Sequence, residues 1–306
     1  MQAEGAETLK KSLNSLVQQG SSAAIGPART FSIPGDHSGI SINSDVDRGN
    51  NTEAFEADNY TNNVAIGTGT KPLIKLTDVW KIYRMGETDF AALAGINLEI
   101  YRGEFLVVVG PSGSGKSTLM NLLGCLDLPT KGAVFLDSKD ISELGESELA
   151  RIRGQMIGFI FQSFNLIPTL NTLENVLLPL EFQEEESSKA RKRGEYLLEI
   201  VGLSDKIQNL PSQLSGGQRQ RVAIARSLAV DPPIILADEP TGNLDTKTGN
   251  YILEFLAKLR EKEDKTIIVV THDLEIIKHA TRVVYLRDGE IEKIEKRRKN
   301  EPEKSK

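Results

Sequence analysis

The sequence predicts an α/β fold built on a parallel sheet, and three observations predict it. Phe105–Val109, Pro233–Ala237 and Thr266–Val270 are short apolar runs of strand length, the pattern of strands buried on both faces. The first of them leads through a glycine-rich loop into Leu119-Met-Asn-Leu-Leu123, so strand, loop and helix follow in order. After Gly216 the periodicity alternates between helix and strand, as in parallel sheets with helical crossovers.

Each element can be justified in turn. Residues 1–70 are rich in Gly, Ser, Asn, Thr and Asp and poor in large apolar residues, so they predict a weakly ordered arm. Within it, Leu9, Leu13, Leu16 and Val17 share one helical face, but a helix that short is marginal alone. From Lys71, strands are predicted at Leu73–Tyr83, Asn97–Tyr101, Glu104–Val109, Ala133–Leu136 and Ile157–Phe161. Asn171 and Glu174 form a capping box for a helix over Leu173–Phe182. Ser188 opens a second helix with apolar positions at Ala190, Leu197, Leu198 and Val201, and Gly202 suits its stop. The charged residues beyond Glu290 predict a frayed helical tail over 291–306. No internal repeat appears, so one domain is expected over 71–290, with a helical part at about 165–215.

Composition narrows the function. Among 306 residues the net charge is −6, and the basic cluster is confined to Lys296–Lys299. Proteins that grip nucleic acid through phosphates carry a broad basic surplus, so no nucleic-acid partner is expected. No run reaches the ~20 apolar residues of a membrane-spanning helix, and the first residues lack a signal-peptide pattern; a cytoplasmic location is expected. The single cysteine, Cys125, excludes an internal disulfide and predicts a small buried side chain.

The loop Gly110-Pro111-Ser112-Gly113-Ser114-Gly115-Lys116-Ser117-Thr118 has the P-loop pattern in its required context. Glycines let successive amides turn onto phosphate oxygens, and the following helix points its positive end at the same anion. Lys116 supplies a mobile charge for the β/γ phosphates and Ser117 a hydroxyl for Mg²⁺. A second serine-glycine cluster, Ser215-Gly216-Gly217-Gln218, stands before the helical pattern Arg219–Leu228. It reads either as an ordinary helix cap or as a second anion site. Then Ile234–Ala237 ends in Asp238-Glu239, adjacent acids that a buried strand rarely carries without a cation or a reaction to serve.

With these residues in order, the chain resembles the ATP-binding cassette (ABC) family over about Leu73 to Glu290. The resemblance implies a RecA-like core with a small antiparallel β subdomain and a helical subdomain. It matches Tyr83 to the aromatic residue that stacks on adenine, Gln162 to the glutamine between the Mg²⁺ site and the partner contact, and Leu214–Gln218 to the signature. Asp238 matches the Mg²⁺-supporting acid, Glu239 the catalytic glutamate, Asp245 the loop after them, and His272 the γ-phosphate-sensing histidine. Phe161–Leu170 and Pro240–Asp245 look like the macrolide-exporter and lipoprotein-release branch, although cell-division cassettes share much of this.

What the resemblance implies is an ATPase that drives a separate transmembrane permease, with ATP and Mg²⁺ as its ligands. Lys116, Gln162, Glu239 and His272 would serve catalysis, and Ser117, Gln162 and Asp238 the metal. Ser215, Gly217 and the helix they open would complete the site of the opposite protomer, in a homodimer sandwiching two ATP molecules. Its place would be cytoplasmic, peripheral on the inner face of the membrane. A non-transport ATPase that signals mechanically to a membrane partner stays open. A soluble nucleic-acid-associated cassette fits less well, because no coiled-coil insertion precedes Leu214 and there is one cassette rather than two.

Overall fold

The computed structural model describes residues 71–86 and 88–297. The arm over 1–70, with its apolar stripe from Leu9 to Val17, and the tail over 298–306 lie outside the described residues. In chain order the elements are β1 (Ile74–Met85), β2 (Thr88–Ile100), β3 (Phe105–Val109), α1 (Lys116–Leu123), β4 (Lys131–Leu136), β5 (Lys139–Asp140), α2 (Glu146–Met156) and β6 (Ile157–Ile160). They continue with α3 (Thr172–Glu181), α4 (Ser187–Ile200), α5 (Gly216–Ser227), β7 (Ile234–Asp238), α6 (Thr246–Glu263), β8 (Thr266–Thr271), β9 (Arg282–Arg287) and β10 (Glu290–Lys296).

Two sheets result. A four-stranded sheet has the order β2-β1-β4-β5, with antiparallel neighbours throughout. A six-stranded sheet has the order β10-β9-β3-β8-β7-β6, parallel except for the edge strand β10. Every residue of β3 and of β8 is buried, as their unbroken apolar sequences require.

Alternation along the strands divides the interior in two. Phe105, Val107 and Val109 face one core with Ile235, Ala237, Ile267 and Val269, under apolar residues of α3, α4, α5 and α6. Leu106 and Val108 face the other with Leu236, Ile268 and Val270, which also holds Leu119 and Leu122 of α1 and the inner face of the four-stranded sheet. Each face of the parallel sheet is covered, which is what parallel sheets need.

The capping box of α3 forms as expected: Glu174 N donates to Asn171 Oδ1 at 2.9 Å and Asn171 N to Glu174 Oε2 at 2.7 Å. Gly202 ends the α4 segment with φ of +70°. Cys125 is buried, and burial raises its thiol pKa to about 11.

Two expectations are corrected. β2 begins at Thr88 instead of Asn97, because Thr88–Ala91 are exposed and show no apolar alternation; pairing with β1 holds them instead. The described part of the tail, Glu290–Lys296, is not a helix but the edge strand β10. Asp288 and Gly289, at φ of +48° and +82°, form the two-residue turn that folds it back on β9. Cross-strand pairing outweighs the helix-favouring Glu and Lys composition there.

Candidate functional site

The strand order positions the site. β3, β8, β7 and β6 are successive parallel neighbours. Their C-terminal ends lead into Gly110–Lys116, His272, Asp238-Glu239 and Gln162 respectively. Residues far apart in sequence therefore meet at one edge of the sheet, where open α/β sheets bind ligands.

The loop after β3 depends on glycine at two places. Gly115 has φ of +97°, and a Cβ there would lie 2.4 Å from Ala92 O. A Cβ at Gly110 would lie 2.1 Å from Leu286 O and 2.6 Å from Ser114 Oγ. The β9–β10 turn braces the loop from below, since Gly289 N donates to Ser114 O at 3.2 Å and Ala94 N donates to Gly289 O at 2.8 Å. Lys116 Nζ donates to Gly110 O at 2.9 Å and to Pro111 O at 2.7 Å, folding the ammonium back over the loop.

No side chain caps the N-terminus of α1, and its first turn holds no acid. The first amides of that helix are thus presented to an incoming anion. The hydroxyl of Ser114 is buried without a hydrogen-bond partner inside the same loop. Pro111, Ser112, Gly113 and Ser117 are exposed, and Thr118 is half-buried.

Glu239 is the centre of the acidic side. Its backbone is left-handed, with φ of +43°, and its amide donates to Val270 O of the neighbouring strand at 2.8 Å. Oε1 lies 2.6 Å from His272 Nδ1, and Oε2 accepts from Gln162 Nε2 at 3.0 Å. Burial, and then the adjacent Glu239 carboxylate, raise the pKa of Asp238, while Lys116 opposes the shift. A cleft of about 440 Å³ beside them is lined by residues that include Glu239, Gly242, His272 and Leu274.

The serine-glycine cluster is likewise a helix start. Ser215 Oγ accepts from Gln218 N at 3.3 Å, and Gln218 Oε1 accepts from Ser215 N at 2.8 Å. A Cβ at Gly217 would lie 2.8 Å from Thr248 Cγ2, so α5 starts against the first turn of α6. Asp245 caps α6 by accepting from Thr248 N at 3.0 Å and Thr248 Oγ1 at 2.6 Å, and the hydroxyl contact leads in holding its carboxyl below the usual range. Of the two anion-ready helix ends, α1 is uncapped and α5 is closed by its own serine.

Tyr83 is 37% exposed, and its hydroxyl donates to Asp127 Oδ2 at 3.0 Å. Lys81 Nζ reaches Asp127 Oδ1 at 2.6 Å and lies 5.2 Å from the Tyr83 ring centroid. The structure thus brings Gln162, Glu239 and His272 into direct contact, and places Lys116 close enough to Asp238 to act on its ionisation. Tyr83 bonds Asp127 and also reaches Thr118 of the phosphate loop, while Ser215 and Gln218 bond each other.

Asn243 lies in the Pro240–Asp245 motif but carries no site role from sequence; its Nδ2 donates to Gln162 O at 2.9 Å and so joins two loops of the site. Its place in Pro240–Asp245 was the available signal. Asp127, which anchors both Lys81 and Tyr83, carried no such signal.

The chain matches the family model described as "ABC transporter" over residues 93–242. An uncharacterized ABC transporter ATP-binding protein of Thermotoga maritima is 54% identical over 227 residues, covering 74% of this chain and 97% of that protein. The macrolide export ATP-binding/permease protein MacB of Syntrophobacter fumaroxidans is 48% identical over 222 residues, which is 72% of this chain and 31% of MacB. A solved structure described as a dimeric post-hydrolysis state of the ATP-binding cassette MJ0796, bound to ADP and Pi, superposes with a TM-score of 0.70 at 51% identity, covering 73% of this chain and 98% of that one.

Proposed function

The chain belongs to the ABC transporter family, and on that premise we propose that it binds and hydrolyses ATP to power a separate membrane permease. The observation that carries this reading is the Glu239 carboxylate, fixed between His272 and Gln162 on strand ends adjacent to the phosphate loop. A fixed, partly buried carboxylate opposite an anion cradle suits orientation of a water molecule toward a γ-phosphate. The MJ0796 cassette with ADP and Pi supports the hydrolytic step, and the MacB relative supports export as the class of work.

The residues take roles that follow from their surroundings. Lys116 and the open amides of α1 neutralise phosphate charge, and Gly110–Thr118 wraps the β- and γ-phosphates. Tyr83, anchored by Asp127, offers its ring to the adenine. Glu239 polarises the attacking water and His272 holds the γ-phosphate in line with it.

Ser117, Gln162 and Asp238 fit Mg²⁺, because all three provide oxygen donors and Asp238 is a half-buried carboxylate beside the Glu239 carboxylate. Magnesium would supply charge neutralisation across the β- and γ-phosphates.

Ser215, Gly217 and the α5 N-terminus face the nucleotide of a second copy in a two-fold dimer that closes on two ATP molecules and opens after hydrolysis. The dimeric MJ0796 structure supports this arrangement. Among the described residues no helix is long and apolar enough to cross a membrane, and we place the chain peripherally on the inner membrane face through its permease. The deciding experiment measures ATP hydrolysis by the purified chain with and without the co-purifying membrane protein. Turnover in neither condition would reject the reading.

A further inference from the structure

Just beyond Gln162 the backbone is left-handed at two successive residues: φ is +61° at Phe164 and +48° at Asn165. Bulky residues such as Phe rarely enter this region. Asn165 N donates to Ser163 O at 2.7 Å, closing a three-residue turn. Such a backbone persists only where its surroundings hold it.

One side chain grips both carbonyls of this turn. Arg226, one residue from the C-terminal end of α5, donates from Nη2 to Phe164 O at 2.8 Å and from Nη1 to Asn165 O at 2.5 Å. A second arginine of the same helix, Arg219, lies 5.3 Å from the Phe164 ring centroid and is itself tied to Leu214 O at 2.6 Å. Burial lowers the Arg226 pKa, and its guanidinium bonds the two carbonyls of the turn. Arg226 is partly buried, and separating loop from helix would break both of these bonds.

The flanks of the turn are also tied. Gln162 reaches Glu239 with its side chain and Asn243 with its carbonyl. On the far side the buried Asn175 holds Ile167 N at 2.8 Å and Leu170 O at 2.9 Å. The turn is therefore the link between the Glu239 contact and the helix that Ser215 opens.

We propose that Arg226 is a positioning residue for Gln162: its grip on Phe164 and Asn165 sets the turn that presents Gln162 to Glu239 and makes that turn follow α5. This rests on the ATPase reading above. Gln162 is then placed by the same helix whose N-terminus faces the nucleotide of the second copy.

The test is a double-mutant cycle on kcat between Arg226→Lys and Gln162→Ala in the full chain. Lysine keeps the charge but lacks the fork that spans two carbonyls. Arg226→Lys alone is expected to lower kcat about tenfold with KM for ATP within about twofold, and to cause no further fall in the Gln162→Ala background. Equal losses in both backgrounds would overturn the proposal, since Arg226 would then act by a route that bypasses Gln162.

Should Arg226→Lys fail to give a folded protein by circular dichroism, Arg226→Gln takes its place in the cycle. Glutamine keeps an amide donor for one carbonyl but lacks the fork that spans both. The same masking by Gln162→Ala is expected, and the same additivity would overturn the proposal. An inactive wild-type chain would reject the ATPase reading itself, whereas additivity in an active chain rejects only the role of Arg226.

Discussion

His272 Nδ1 lies 2.6 Å from Glu239 Oε1, while Gln162 Nε2 holds the other oxygen at 3.0 Å. The carboxylate is aimed from both sides by residues on neighbouring strand ends. Glu239→Gln keeps the shape but turns one acceptor into a donor. Hydrolysis is expected to fall at least about 100-fold, while ATP binding survives and an ATP-dependent dimer accumulates. Phosphate release and light scattering check both halves, and a variant that stayed monomeric in saturating Mg-ATP would count against the two-fold scheme.

Asp238 predicts a pH dependence of stability. Burial and the neighbouring Glu239 raise its pKa, so the folded state holds the proton more tightly than the unfolded state does. Stability therefore falls as pH rises from the ordinary carboxylate range through the raised value, and the penalty persists at neutral pH. Asp238→Asn should melt higher than the wild type at pH 7 without nucleotide, and the gap should close below about pH 4. Melting curves across that interval decide the matter; a variant less stable at every pH would contradict the sign.

Glycine substitutions in the phosphate loop separate sterics from backbone strain. Gly113 has φ of +78° with open space around it, whereas Gly115 combines φ of +97° with a contact of 2.4 Å to Ala92 O. Gly113→Ala should cost about 1–2 kcal/mol from the backbone alone. Gly115→Ala should cost more and abolish ATP binding, because Ala92 is backbone of β2 and has no room to yield. Urea denaturation and nucleotide titration of the pair provide the comparison, and equal losses would show that the close contact is relieved at no cost.

The proposed function gives Ser215 two duties, as the cap of α5 and as a contact to the second copy's nucleotide, and one pair of variants separates them. Ser215→Ala should lose about 0.5–2 kcal/mol by removing the α5 cap, together with ATP-driven dimerisation. Ser215→Asp retains a good cap and restores the stability, but sets a carboxylate where a phosphate of the second copy would lie. Dimerisation restored by aspartate would show that Ser215 acts as a cap only.

Much of this was legible in the sequence because the signals are local. The capping box at Asn171, the serine-glycine helix start at Ser215, the buried strands β3 and β8, and the glycine loop each declare themselves within a few residues. β10 was hidden because its evidence is a partner strand, although Asp288-Gly289 is a recognisable hairpin turn. The Asp127 contacts with Lys81 and Tyr83 span more than forty positions and depend on β4 pairing with β1, which brings the loop before β4 beside them. Asp238 and Glu239 stood out as an acidic pair, but nothing local could show that His272 and Gln162 divide the two oxygens of Glu239 between them.

The left-handed backbone at Glu239 has an evolutionary consequence. At φ of +43° Glu239 stands where glycine, asparagine or aspartate would rest more easily. If Glu239 polarises the attacking water as proposed, substitutions that relax the backbone at this position give up turnover. Selection in the laboratory for thermal robustness alone should therefore favour replacing it.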